Sequence, residues 1–338
     1  MSFFDFLYQY EIYFGLLVGL LFGYILQRGR LCFNSAIRDV KFFKDNYLIK
    51  AIFLAVSMNS LVFVLMAQLG WIKLTPLSFA PLGNMIGGLI FGMGMVFAGG
   101  CASGVTYRVG EGMVSAWIAA LTYAIFAAAS KSSFLKPVVS FLRGPIYTVE
   151  GDGTYYSYGP VGPTIATLLK VNPWIPAILF AVIVWIFLAR TKTTERPKGT
   201  WNWKVLGIMT VIVSALGYLT HQSYGLGITG GWVSLMNYLV SGKYIGWSGM
   251  LIVGIMLGSF ISAFVRKEFK FRAPKDPKVF ARVALGGMMM GFGAVLAGGC
   301  NIGHFLTGFS HLAIGSILTT LFFFVGNWLA YYLLYERD

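Results

Sequence analysis

The sequence predicts an all-α polytopic membrane protein with about nine transmembrane spans and, between some of them, short broken or re-entrant helices. Three observations carry this reading. Of 338 residues, 57% are hydrophobic and 11% charged, whereas soluble domains carry roughly 25% charged residues. Nine apolar runs, separated by polar or glycine-rich breaks, can be read along the chain. The 42 glycines and 29 phenylalanines supply small residues that let membrane helices approach closely and bulky ones that face lipid.

The runs, in order, are 12–26, 48–69, 82–98, 114–129, 174–189, 204–220, 245–264, 282–297 and 312–334. The first is preceded by Asp5 and Glu11 and by no Lys or Arg, so the positive start of a signal peptide is missing and the run is expected to be retained. A full crossing needs about 20 residues. The first run and the two that lead into Gly-Gly-Cys sequences are at or below the lower limit, so these segments are expected to stop inside the membrane. The whole chain, 1–338, reads as a single transmembrane transport domain.

Lys and Arg in short loops set the orientation. They gather after the first run (Arg28, Arg30, Arg38, Lys41, Lys44), after the fifth (Arg190, Lys192, Arg196, Lys198) and after the seventh (Arg266 through Lys278). All three loops are expected to be cytoplasmic, with the N-terminus periplasmic and the C-terminus cytoplasmic. The net charge of +14 falls in these loops and forms no continuous face, which argues against a nucleic-acid partner. The stretch 144–163 then lies outside, its Gly-Pro breaks and Glu150-Gly-Asp152-Gly marking turns. It is either a solvated loop or part of the rim through which substrate passes.

The chain repeats itself. Ile86 to Gly104 aligns with Leu285 to Gly303, 199 residues later, and the match places Gly99-Gly100-Cys101 and Gly104 on Gly298-Gly299-Cys300 and Gly303. The copies cover about 83–130 and 282–334. By the loop charges the third and eighth spans run in opposite directions, so the repeats are expected to be inverted and pseudo-symmetric, the sequence pointer to a transporter with its site near the midplane. A weaker echo sets Gly19 and Gly23 of the first run against Gly254 and Gly258 of the seventh. Close helix packing explains those glycines equally well.

In each copy a helix reaches Gly-Gly-Cys, where paired glycines end it cheaply. The cysteine is then expected to open a short new helix whose free amides attract an anion. Non-helical backbone at membrane depth is tolerated only in protein or along a wet cavity, so these loops should line the path. Thiols suit a sulphur-bearing anion because S–H is a weak donor and sulphur is soft and polarizable. A helix N-terminus lowers a cysteine pKa, and a thiolate would repel a dianion, but burial pushes the other way, so neutral thiols are expected at rest. The three cysteines, Cys32, Cys101 and Cys300, form no Cys-x-x-Cys and no zinc set, and no metal or other cofactor is expected. Asn34 and Asn301 either donate to an anion or cap the short helices. Arg108 stands either at a helix end or in the site. His304 and His311 read as ordinary hydrogen-bonded histidines.

Three segments, Gln27-Arg-Gly-Arg-Leu-Cys32-Phe-Asn34-Ser-Ala-Ile-Arg38-Asp39, Gly99-Gly-Cys101-Ala-Ser-Gly104 and Gly298-Gly-Cys300-Asn-Ile-Gly303, resemble the signatures of the YeeE/YedE sulphur-transport family, in its thiosulphate-uptake branch. The resemblance implies a bacterial inner-membrane protein with an hourglass-like central path along which Cys32, Cys101 and Cys300 pass thiosulphate. It also implies a small cytoplasmic sulphur-carrier partner of the TusA type. The expected substrate-binding set is therefore Cys32, Cys101 and Cys300, with Gly99, Gly100, Gly104, Gly298, Gly299, Gly303, Asn34 and Asn301, in a transporter and not an enzyme. Transport of another sulphur or selenium anion, or a membrane sulphurtransferase that forms a cysteine persulphide, are the alternatives.

Overall fold

The computed structural model describes residues 9–194 and 201–335. In chain order these form α1 (Glu11–Gly29), α2 (Phe33–Arg38) continued by a π-helical turn (Asp39–Phe43), α3 (Tyr47–Gln68), α4 (Pro81–Phe97), α5 (Ala102–Gly110), α6 (Val114–Ser132) and α7 (Lys136–Arg143). A small hairpin, β1 (Val149–Gly151) with β2 (Gly159–Val161), is followed by α8 (Ile165–Leu169), α9 (Trp174–Arg190), α10 (Trp203–His221), α11 (Ile228–Ser241), α12 (Gly246–Val265) and α13 (Pro277–Ala297). A second π-helical segment (Ile302–Gly308) and α14 (Ile314–Tyr335) complete the described chain.

Each of the nine apolar runs coincides with a helix. Among the described residues eight helical stretches are long and apolar enough to cross a membrane, and α9 is a shorter apolar ninth. The protein is an all-α, multi-pass membrane protein. Local chemistry sets the ends: Asp276 accepts from the Lys278 amide at 2.9 Å with Pro277 opening α13, and Asn202 caps α10 in the same way. Both Gly-Gly-Cys breaks turn on a glycine in the left-handed region, Gly99 at φ +72° and Gly298 at φ +95°, where a β-carbon is disfavoured. Helix α11, unforeseen among the nine runs, stands between α10 and α12 in the chain.

Glycines set the helix contacts. A β-carbon at Gly19 would meet Gly254, and one at Gly258 would meet Leu20, so α1 and α12 touch backbone to backbone. Helices α4 and α13 cross at Gly94, 2.8 Å from the Met290 amide, and at Gly293, 2.7 Å from the Phe91 amide, each distance taken from the β-carbon a residue there would carry. On the flanks, Gly92 approaches Phe323 and Asn327 of α14, while Gly291 approaches Tyr123 and Ala127 of α6. The contacts are reciprocal: what α4 does to α14, α13 does to α6.

The basic loops meet at one end of the bundle. Asn46 bonds the Lys192 carbonyl at 2.5 Å, Arg30 pairs with Glu268 at 2.9 Å, and Arg282 reaches Tyr335. The opposite end carries the 144–163 stretch, which is less loose than its turns suggested. Asp152 accepts from the Thr154, Tyr155 and Tyr156 amides, and bridges from Leu74 to Tyr156 and from Phe79 to Tyr147 pin the stretch over the α3–α4 connection.

Candidate functional site

Two segments opened by cysteines meet near the bundle axis. Cys32 precedes α2 and Cys101 precedes α5, both in extended backbone at the N-cap. The two sulphurs lie 3.7 Å apart and both residues are at most 1% exposed. The Cys101 sulphur accepts from the Gly104 amide at 3.3 Å and lies 3.4 Å from the Ser103 hydroxyl. One amide of the helix start is thus taken by the thiol itself. Gly104 is what admits the second sulphur, because a β-carbon there would sit 2.7 Å from the Cys32 Sγ and 3.2 Å from the Cys101 Sγ.

Cys300 lies elsewhere. It lines a cavity of about 380 Å³ whose walls include Gly298, Gly299 and Gly303, with Tyr224 and Thr229 from the segment entering α11. Lys131 and Arg143, at the ends of α6 and α7, supply two cations on the side away from the basic loops. Gly303, the counterpart of Gly104, has nothing within 4 Å of where a β-carbon would stand. One Cys-x-x-Gly arrangement is closed on sulphur and the other lines the cavity.

Tyr123 of α6 is buried and bonds Thr229 at 2.8 Å. Trp232 of α11 donates to Thr106 of α5 at 3.0 Å, and Tyr224 donates to the Gly303 carbonyl at 2.6 Å. The segment 222–241 therefore touches both cysteine loops. The sequence reading missed it. Its signal was Gly225-Leu-Gly-Ile-Thr229-Gly-Gly231, a glycine-rich stretch of the same kind as the two cysteine breaks but lacking the cysteine.

The remaining expected residues divide. Asn34 is held by Asn327, whose amide donates to its oxygen at 2.6 Å, and Asn301 is fully buried with neither amide atom bonded. Asn301 stands at the N-cap position of Ile302–Gly308 but makes no side-chain cap bond, and Asn34 lies inside α2. Arg108 is at the end of α5 and also in the site, because its guanidinium folds back to the Gly99 carbonyl and would abut a β-carbon at Gly100. His304 bonds Ser316 at 3.0 Å. His311 departs from its expected hydrogen-bonded state: neither ring nitrogen has a partner, and the ring is surrounded by Phe63, Tyr218 and Tyr224.

Toward the basic loops the thiol pair is sealed. Arg30, two residues before Cys32, pairs with Glu111 at the end of α5 and with Glu268. Gln27 donates to both carboxylates, at 3.1 and 2.9 Å, and accepts from Ser262 at 2.5 Å. The Glu111 side chain is 2% exposed. The arrangement thus comprises a cavity lined by Cys300, the buried pair Cys32 and Cys101 and a charged network of Arg30, Glu111 and Glu268. Among the described residues no cluster of His, Cys, Asp and Glu could hold a metal ion.

A family model described as "Sulphur transport" matches residues 28–329. The chain is 47% identical to the "Thiosulfate transporter TsuA" of Spirochaeta thermophila, over 96% of this chain and all of the relative. It is 34% identical to the protein of the same name from Escherichia coli K12, over 96% of this chain and 94% of the relative. A shorter match, 37% identical over 30% of this chain and 25% of the relative, is to the "Probable transporter YedE" of Escherichia coli K12.

Proposed function

The chain belongs to the sulphur-transport family, and from that premise we propose that it takes up thiosulphate across the bacterial inner membrane, relaying it past three thiols. The observation that carries the relay is the 3.7 Å approach of the Cys32 and Cys101 sulphurs deep to a cavity that ends on Cys300. Lys131 and Arg143 draw a dianion toward that cavity. There it meets Cys300 and the hydroxyl of Thr229, and the unbonded Asn301 amide is a further donor in reserve. Moving inward strips its water, which the site must replace. Soft S–H groups do so weakly, and weak contacts permit release. The glycines at 99, 100, 104, 298 and 299 keep side chains out of the two turns, whereas Gly303 has room for a methyl group.

In this reading the repeat copies are inverted and form the two halves of an hourglass-like path, with the N-terminus periplasmic and the C-terminus cytoplasmic. The reciprocal glycine contacts of α4 and α13 support it. The network of Arg30, Glu111 and Glu268 closes the cytoplasmic exit, next to which a TusA-like sulphur carrier would collect its cargo. A transporter of this kind makes and breaks no covalent bond. The close thiols favour one rival, in which a cysteine thiolate attacks the outer sulphur of thiosulphate, releases sulphite and keeps a persulphide. Mass spectrometry after thiosulphate exposure separates the two, since only the rival leaves one added sulphur on the protein.

The deciding experiment is uptake of labelled thiosulphate by proteoliposomes, with sulphate and selenite as competitors. Cys101→Ser and Cys300→Ser keep size and a hydroxyl but remove the soft sulphur, and should lose most flux at equal protein content. Full uptake by both variants would leave an anion path lined by helix ends and no role for sulphur.

A further inference from the structure

A second cavity, unrelated to the thiols, lies at the basic-loop end of the bundle. Helices α9 and α10 each pack on α3, and between them they leave a cleft of about 660 Å³. Its floor is one stripe of α3, Lys50, Leu54 and Met58, spaced by four residues so that they share a face. Its walls are Trp185 and Leu188 on one side and Trp203 and Ile208 on the other.

Among the described residues the cleft gathers two lysines and no carboxylate. Lys50 is 2% exposed and donates to the Thr191 carbonyl at 2.6 Å and the Thr193 hydroxyl at 2.7 Å, which leaves one of its three N–H groups unused. Its ammonium lies 4.9 Å from the Trp203 ring, and that of Lys204 lies 5.7 Å from the same ring. Neither lysine makes an ion pair among the described residues. A buried cation without a counter-charge is costly. Away from the ammonium groups the cleft is lined by the apolar side chains of Leu54, Met58, Leu188 and Ile208.

We propose that this cleft is a binding site for one anionic phospholipid, whose phosphate lies between Lys50 and Lys204 while an acyl chain runs along Leu54, Met58 and Leu188. The position fits the lipid: basic residues between helices at the end that carries the positive loops face the anionic leaflet. The indole of Trp203 sits at the depth where an amphipathic ring is favoured. A soluble anion would satisfy the lysines but leave the apolar depth unfilled.

Native mass spectrometry of the detergent-purified full chain, given equal amounts of phosphatidylglycerol and phosphatidylcholine with matched tails, tests this. The wild type should retain phosphatidylglycerol in preference, by about fivefold for each lysine. Lys204→Glu, at an exposed position, should abolish the preference, and Met58→Trp, which fills the floor, should remove the bound lipid while thermal melting shows the protein folded. Equal retention of the two lipids by the wild type, or a preference unchanged in both variants, would overturn the proposal. So would loss of the preference on adding inorganic phosphate alone, since the lysines would then serve a free anion.

Discussion

Replacing Gly104 by alanine tests the thiol pair without touching a thiol. The new β-carbon would stand 2.7 Å from the Cys32 sulphur, about 0.7 Å inside the 3.4 Å at which ordinary contact begins, and also 3.2 Å from the Cys101 sulphur. Forced contacts of this size in a packed interior cost about 1–3 kcal/mol. Against that, alanine in a helix gains up to about 1 kcal/mol over glycine, so a net loss of no more than about 2 kcal/mol is expected and the protein should still fold. The geometry pays instead, because Cys32 must retreat from Cys101. If the barrier to passage rises by about 1.4 kcal/mol or more, uptake falls at least about tenfold. Gly303→Ala is the internal control, since its β-carbon meets nothing within 4 Å, and uptake should stay within about twofold of wild type. The assay is thiosulphate uptake by proteoliposomes at matched protein content, with melting followed in parallel. Wild-type uptake by Gly104→Ala, or equal losses in both variants, would refute the claim that the Cys32–Cys101 approach governs passage.

Three further outcomes are expected. Arg30→Gln leaves the buried Glu111 carboxylate without its cation, and should lower stability by about 1–3 kcal/mol, whereas the double variant with Glu111→Gln should recover part of it; a thermal shift that is no smaller in the double variant would exclude the pairing as the cause. Glu268, at the basic end beyond α12, is held below the usual glutamate value of 4.5 by its hydrogen bond from Arg266, and further by Gln27 and Arg30. Its stabilisation is therefore complete above about pH 4.5 and is lost as pH falls through the lowered value. The group is largely solvated, so the effect is small and fades in high salt; acid melting curves that Glu268→Gln leaves unaltered would remove it. Reporter fusions after Asp338 and within residues 191–199 should both read cytoplasmic, and disagreement between them would end the nine-crossing orientation.

The span plan was legible because lipid demands long apolar runs and leaves little room for another solution. Gly-Gly-Cys was legible as a break for the same local reason: Gly99 and Gly298 take backbone angles that other residues resist. What sequence could not give was which thiols meet. Cys32 and Cys101 are 69 residues apart, and their approach depends on Gly104 and on how α1 and α4 pack, none of which leaves a local pattern. Helix α11 escaped for a different reason. Its glycines, serines and asparagine dilute the apolar signal over only 14 residues, and yet that dilution is what lets Thr229 and Trp232 bond Tyr123 and Thr106. Arg108 was posed as a choice between helix end and site, and its long side chain made the choice unnecessary.

The two stretches that follow the matched cysteines differ by a single residue. Met113, the bridging residue before α6, comes twelve places after Cys101, and Ala313, its equivalent before α14, comes thirteen after Cys300. The first stretch is an ordinary α-helix and the second is wound as a π-helix over Ile302–Gly308. A π-turn is how a helix swallows an inserted residue without rotating everything downstream. Here it keeps Phe323 and Asn327 against Gly92 as Tyr123 and Ala127 are kept against Gly291. An insertion that would otherwise have turned every later side chain by about 100° is spent inside the loop that carries Cys300. The length mismatch thus falls where the two halves differ in form, Cys101 buried against Cys32 and Cys300 lining the cavity.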